Sequence, residues 1–288
     1  MIVVTGATGQ LGHLVIDELL KTVEANQIIA AVRTPAKATG LAERGVQVRE
    51  ADYARPETLD TAFAGASRLL LVSGTDLGRR EEQHRNVIEA SKAAGVRFVA
   101  YTSILHCDTS PLFLAREHLA TEHYLQSSGL TYSLLRNGWY YENQTAAIPQ
   151  ALKSGAFIGA SGEGRFAAAS RSDYAAAAAV VLTSKAHESS VLELGGDQPY
   201  TRAELTAEVS RQTGKAIRYN NLSEAEFVKI LSGFLPAIVA KSIADAETHA
   251  AQGALDDNSR TLSHLLGRPT ANLAEAVTNA LSTPPVHH

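Results

Sequence analysis

The sequence of 288 residues has one cysteine, Cys107, one methionine and one tryptophan, Trp139. A lone thiol cannot close an internal disulfide, so the fold has to rest on a packed core, and the pattern fits a reducing cytoplasm. An excess of positive charge is also missing. Lys and Arg number 26 against 30 Asp and Glu, a net charge of −4, which argues against nucleic acid as a partner. No apolar run approaches the ~18 residues of a membrane span, so no spanning segment is expected. The chain opens on core-strand residues where a secretion signal would place a basic segment, so no signal is expected either. Ten histidines offer no ligand spacing: His118 and His123 are five apart, and His106-Cys107 are adjacent. No metal centre is therefore expected. The chain contains no Gly-x-Ser-x-Gly and no Gly-x-x-x-x-Gly-Lys, which disfavours an α/β-hydrolase and an NTPase.

What is present begins at the first residue. Ile2-Val3-Val4-Thr5 runs straight into Gly6-Ala7-Thr8-Gly9-Gln10-Leu11-Gly12. A helical pattern follows, with Leu11, Leu14, Val15, Ile16 and Leu19 on one side and His13, Asp17, Glu18 and Lys21 on the other. Strand, glycine turn and helix form the phosphate-binding start of a dinucleotide fold. Gly6 lets the chain turn off the strand, Gly9 carries no Cβ against a pyrophosphate, and Gly12 lets the helix pack close. Amide groups at the helix start face the phosphates with the positive end of the helix dipole behind them.

Further strands follow in sequence. Ile28–Val32 ends in Arg33, 21 positions after Gly12, where NAD-selective folds carry an acidic residue for the ribose 2′-OH. The missing carboxylate and the guanidinium both favour NADPH. Val46–Ala51 alternates as a third strand, and Asp52 at its end either lies near the adenine or caps the next turn. Leu69–Val72 reads as a buried parallel strand followed by Ser73-Gly74, where the backbone can approach a ribose. A helix over 79–94 precedes the fifth strand, Val96–Tyr101, with Thr102-Ser103 at its end. A helix over 112–126 precedes the sixth, Thr131–Arg136, followed by Asn137-Gly138-Trp139-Tyr140.

Six strands alternating with helices over 136 residues predict an α/β fold, a doubly wound parallel sheet of Rossmann type. Ligands bind such sheets at the carboxyl ends of the strands. Beyond residue 145 the rhythm changes. The expected division is a dinucleotide-binding domain over 1–144 and a smaller, mainly helical lobe over 145–288. Part of 165–195 is expected to pack back on the sheet through the alanine-rich helix that starts at Ser172. Thr201-x-x-Glu204 and Ser223-x-x-Glu226 predict two capping boxes, and Leu273–Leu281 a last helix. The tail Pro284–His288 reads as loose. No pattern specifies an oligomeric state.

Val4–Gly12, Ala51-Asp52-Tyr53, Gln83-His84-x-Asn86-Val87, Tyr101-Thr102-Ser103, Thr121-Glu122 and Leu135-Arg136-Asn137-Gly138 together resemble the NmrA-like group of atypical short-chain dehydrogenases. Within that group the chain is similar, nearly end to end, to the bacterial NAD(P)H:quinone oxidoreductases of the second type. The resemblance implies a cytoplasmic enzyme that moves hydride from NADPH to a quinone or another flat electron acceptor. It implies that Gly6, Thr8, Gly9, Gln10, Leu11 and Gly12 hold the pyrophosphate and Arg33 the 2′-phosphate. Ser73 and Gly74 would hold the nicotinamide ribose side, with Asp52 and Ser103 also at the cofactor. Asn137, Gly138, Trp139 and Tyr140 would line the nicotinamide and substrate pocket.

Carbonyl-reducing members use Tyr-x-x-x-Lys, whose phenol donates a proton. Counted from Glu122, His118 stands at the lysine position and Leu114 at the tyrosine position. That donor is missing, which suits a quinone, since hydride addition leaves a delocalised anion that solvent can protonate. Asn137 or Tyr140 could then steady the oxyanion. An alternative is an NADP-sensing regulator without turnover, which needs only different affinities for the two cofactor forms.

Overall fold

A computed structural model of the chain describes residues 1–282. The Pro284–His288 tail lies outside them. The chain begins as β1 (Ile2–Thr5), α1 (Gln10–Leu19), β2 (Ile28–Val32), α2 (Thr39–Glu43), β3 (Gln47–Glu50), α3 (Pro56–Phe63) and β4 (Arg68–Leu71). It continues as α4 (Arg80–Ala93), β5 (Phe98–Ile104), α5 (Ala115–Ser127) and β6 (Thr131–Asn137). Next come α6 (Tyr141–Thr145), α7 (Ile148–Ser154), β7 (Ala156–Gly159), β8 (Arg165–Phe166), α8 (Arg171–Thr183) and β9 (Ser190–Leu194). The last part holds β10 (Tyr200–Thr201), α9 (Arg202–Thr213), β11 (Arg218–Asn221), α10 (Glu224–Leu231), α11 (Ala237–Ala250), α12 (Thr261–Leu266) and α13 (Leu273–Ser282).

Two compact units divide the chain: residues 1–107, 116–137 and 171–193, and residues 108–115, 138–170 and 194 onward. This differs from the expected division at 144. From Gly138 onward the backbone pairs inside the second unit, Gly138 N–H with the Leu194 carbonyl (2.9 Å) and Ala169 N–H with the Trp139 carbonyl (3.1 Å). Residues 108–115 belong there as well, and Phe113 N–H donates to Asp245 in α11 (2.8 Å). For that reason α5 starts at Ala115 rather than at 112.

The first unit is a seven-stranded sheet in the order β3-β2-β1-β4-β5-β6-β9. Strands β1 to β6 run parallel, and β1 pairs with β2 on one side and β4 on the other. The winding therefore reverses between β1 and β4, the switch point where such sheets bind ligands. Alternate residues face alternate layers. Val3, Leu69, Leu71, Val99 and Tyr101 join Leu59 and Phe63 of α3 and Val87 and Ile88 of α4 in one core. On the other side α8 packs on α1 and reaches β4, β5 and β6. Ala175, Ala177 and Ala178 are buried there, small enough to let helix and sheet approach closely. All five residues of β2 are buried, each large one contributing roughly 1.5–3 kcal/mol of apolar burial.

In the second unit β8 pairs antiparallel with β10, and β7 pairs parallel with β11. Both expected capping boxes form. Glu204 N–H donates to the Thr201 hydroxyl (3.1 Å) and Glu226 N–H to that of Ser223 (3.4 Å), each with the reciprocal bond. Helices α10 and α11 share a core of Phe227, Leu231, Ala240 and Ala244.

Candidate active site

The glycine turn has the conformation its residues demand. Gly6 has φ +60°, a backbone setting that glycine reaches without strain. Gly9 N–H donates to the Gly6 carbonyl (2.8 Å), and Gly9 caps α1 with no side-chain bond. A Cβ on Gly12 would lie 2.5 Å from the Gly6 carbonyl oxygen and 2.9 Å from Ala7 Cα, so only glycine lets α1 pack this close. The first-turn N–H groups of Gln10, Leu11 and Gly12 have no acceptor inside the helix. No acidic side chain occupies that turn, and Thr8, Gly9 and Gln10 are exposed. An anion fits here: the donors, the dipole and the bare glycines all favour one.

Beneath the turn, the Thr5 hydroxyl donates to the Leu70 carbonyl (3.0 Å) and accepts Val72 N–H (3.0 Å). Tyr53 bonds the same hydroxyl and the Val72 carbonyl (2.9 Å). Burial pushes its phenol far above the ordinary range, against the Thr5 bond and the charge of Arg33, so it stays neutral. Arg33 itself is exposed at the end of β2, with no carboxylate beside it in the chain. Asp52 caps the turn that follows β3. Its carboxylate accepts Ala54 N–H (3.0 Å) and pairs with Arg55 (3.4 Å).

The loop after β4 is closed from within. Ser73 N–H donates to the Thr102 hydroxyl (2.8 Å), Gly74 N–H to Nε2 of His84 (2.9 Å), and Arg80 Nε to the Gly74 carbonyl (2.9 Å). Arg80 also pairs with Glu117 of α5 (2.8 Å), and Glu117 accepts Gly78 N–H (2.7 Å). Because Nε2 accepts, the ring proton sits on Nδ1, which faces the Thr121 hydroxyl at 3.0 Å. Burial, then the charge of Arg80, pushes the His84 imidazole down to about 3. It is neutral.

The ends of β5 and β6 hold a buried ionic cluster. Arg136 grips Glu122 with Nε (3.0 Å) and a terminal nitrogen (2.7 Å), and Glu193 with the other (2.8 Å). Burial opposes the Arg136 charge, but the bonds to Glu122 and Glu193 outweigh it and keep the guanidinium charged. The Ser103 hydroxyl, buried at the end of β5, donates to Glu122 (2.5 Å) and so joins the cluster. His106, in the left-handed region at φ +54°, places its N–H 2.8 Å from Glu193. Burial, then Glu122, pushes the neighbouring Cys107 thiol up to about 12. Asn137 ends β6, buried, its carbonyl accepting Leu105 N–H (2.9 Å). Gly138, Trp139 and Tyr140 belong to the second unit, where Trp139 and Tyr140 are half-buried and Tyr140 bridges Ala169.

His118, at the position of the catalytic lysine, is buried with Nδ1 2.7 Å from the Tyr101 hydroxyl. Burial drives its imidazole well below the ordinary range, so it carries no charge that could lower a phenol's pKa. The sequence had singled out His84 only as part of a motif. Its partners, Gly74 and Thr121, lie 10 and 37 positions away, so no local signal marks the contact.

Residues 6–185 match the model of a family described as NAD(P)H-binding. The chain belongs to that family. Within it, the chain is 54% identical over 280 residues to quinone oxidoreductase 2 of Escherichia coli, covering 97% of this chain and 98% of that one. The crystal structure of the NADPH-dependent E. coli quinone oxidoreductase complexed with NADPH superimposes with a TM-score of 0.96, covering 98% of this chain and 100% of that one. Triphenylmethane reductase of Citrobacter sp., complexed with NADP(H), follows at 38% identity and a TM-score of 0.93, over 97% and 100% of the two chains. An NAD(P)H azoreductase of Xenophilus azovorans is 30% identical over 96% of both chains. Among the described residues no helix is long and apolar enough to cross a membrane, and no group of His, Cys, Asp and Glu could hold a metal ion.

Proposed function

We propose that this protein catalyses hydride transfer from NADPH to a quinone. One observation carries the choice of acceptor: the near full-length likeness, at 54% identity, to the E. coli quinone oxidoreductase. The geometry supports the cofactor. The open first turn of α1 receives the pyrophosphate on the amides of Gln10, Leu11 and Gly12, with Gly6, Thr8 and Gly9 around it. Arg33, exposed and with no acidic residue beside it in the chain, takes the 2′-phosphate. Ser73 and Gly74 border the ribose on the nicotinamide side. Asp52 and Ser103, committed to a cap and to the ionic cluster, are not proposed as cofactor contacts.

NADPH, when bound, supplies the hydride from nicotinamide C4. The chain's own contribution is placement and stabilisation of charge. A quinone that accepts hydride becomes a hydroquinone monoanion, and a proton from solvent completes the hydroquinone. No protein acid is required, which agrees with a neutral, engaged His118 and with Leu114 where a tyrosine would stand. Asn137 and Tyr140 are the proposed donors to the developing oxyanion, with Gly138 and Trp139 beside them. The proposed setting is the cytoplasm.

The test is oxidation of NADPH by purified protein with and without benzoquinone, repeated with NADH. Rapid quinone-dependent oxidation that favours NADPH is expected, and Asn137→Ala should lose most turnover while keeping NADPH affinity. Tight NADPH binding with no turnover on any quinone or triphenylmethane dye would overturn the enzyme in favour of a cofactor sensor.

A further inference from the structure

Four polar side chains in the first turns of α4, Arg80, Gln83, His84 and Asn86, reach back to strand-end loops. Gln83 Nε2 donates to Asp76 (2.9 Å), and Asn86 Nδ2 to the Tyr53 carbonyl (2.9 Å). Arg80 and His84 both act on Gly74, one on its carbonyl and the other on its N–H. The bonds run in one direction. His84 Nδ1–H points to the Thr121 hydroxyl, and that hydroxyl in turn donates to the Glu117 carbonyl (2.9 Å). Thr121 can therefore only accept from the ring, which fixes the ring as an acceptor at Nε2, toward Gly74. His84, Thr121 and Arg80 are buried and Gly74 and Glu117 half-buried, so water offers this chain of bonds no equivalent partner.

We propose that His84 is a positioning residue for the cofactor, setting the Gly74 peptide so that the β4 loop presents a bare Cα to the nicotinamide ribose. The proposal rests on NADPH as the cofactor. With both polar groups of Gly74 turned inward, the loop has no backbone donor or acceptor of its own to offer at that residue. The direction a Cβ would take points to Gln83, His84 and Tyr53, so the side of Cα left to the ribose carries only hydrogen. A Cβ at Gly74 would lie 3.2 Å from Gln83 Oε1, a tight approach that Gln83 would have to relieve by shifting a few tenths of an ångström.

Two near-isosteric variants separate positioning from simple packing. In His84→Gln the side-chain oxygen reaches the place of Nε2 and can still accept Gly74 N–H. In His84→Asn the amide reaches only the place of Nδ1, keeping Thr121 and abandoning Gly74. NADPH dissociation constants and melting temperatures would be measured for wild type and both variants, with steady-state constants for NADPH and benzoquinone. The expected result is that His84→Asn weakens NADPH binding about tenfold, the effect of one lost buried hydrogen bond, and leaves the benzoquinone KM unchanged. His84→Gln should stay within about twofold of wild type, although both variants melt earlier. Equal NADPH affinity in all three proteins, or equal loss in both variants, would overturn the proposal. If His84→Asn does not fold, Thr121→Val serves instead: it removes the acceptor that holds the ring, so unchanged NADPH affinity there would overturn the proposal. Failure of wild type to bind NADPH would overturn the cofactor assignment itself, an outcome distinct from both.

Discussion

The two halves of the sheet's carboxyl edge are built on opposite plans. At β1 and β2 the strand ends leave their polar groups outward: Thr8, Gly9, Gln10 and Arg33 are exposed, and the helix amides have no internal acceptor. At β4, β5 and β6 the polar groups are consumed inside the protein, Gly74 by His84 and Arg80, Ser103 and Arg136 by Glu122. The proposed placement of the cofactor accounts for the difference. A pyrophosphate brings its own charge and needs donors, so the site there is best left unsatisfied. A nicotinamide ring must be placed to within a fraction of an ångström, so the floor beneath it is best made rigid.

The largest expected effect strikes the open half. Gly12→Val would drive a side chain into the Gly6 carbonyl, which is main chain and cannot swing aside. NADPH affinity measured by fluorescence titration should fall more than about hundredfold, the helix being unable to approach the turn. In the closed half, Arg136→Met would strand Glu122 as a buried carboxylate, at a cost of about 3–5 kcal/mol seen in denaturant unfolding. Adding Glu122→Gln should recover part of that loss. A loss under about 1 kcal/mol in the single variant would mean that the closed half is not a rigid element.

Arg33→Ala sharpens the contrast without touching the fold. An exposed guanidinium that meets the 2′-phosphate should be worth about tenfold in NADPH KM and nothing in NADH KM. Equal change for both cofactors would remove Arg33 from that role. The smallest effect is an acid response of the closed half. The His84 imidazole is held down to about 3 in the folded chain, so below its ordinary pKa of about 6.5 the unfolded chain binds more protons. Its contribution to stability is intact above about pH 6.5 and is lost as pH falls towards 3. His118 is displaced in the same direction. Melting temperatures recorded downward from neutral pH should fall, and fall less steeply in His84→Gln.

The open half was legible in the sequence and the closed half was not, for a physical reason. Glycine spacing, an apolar strand and an amphipathic helix are local patterns, and Ile2–Leu19 carries all three within 18 residues. The capping boxes at Thr201 and Ser223 are equally local. The roles of Ser103 and Asp52 depended on which partner reached them first. Glu122 lies 19 residues beyond Ser103, a separation no periodicity encodes. Asp52 admits two roles in the sequence because a carboxylate after a strand serves either, and only the folded position of Ala54 N–H reveals the cap. The return of part of 165–195 to the sheet is readable from its alanine-rich helix, whereas the crossing at 137/138 has no local signal. Gly138 pairs with Leu194, so the chain changes unit immediately after β6, seven residues before its helical rhythm changes at 145.

That division has a consequence for how the chain is made. It passes between the units five times, at 107/108, 115/116, 137/138, 170/171 and 193/194. On the ribosome the six parallel strands emerge by residue 137, but the helix that covers one face of β4, β5 and β6 ends only at Thr183. The nascent sheet must therefore wait, apolar on one side, while a stretch of the other unit is synthesised. A gene cut after residue 137 would yield a fragment with that face bare, and neither unit can be lent to another protein as a single uninterrupted segment.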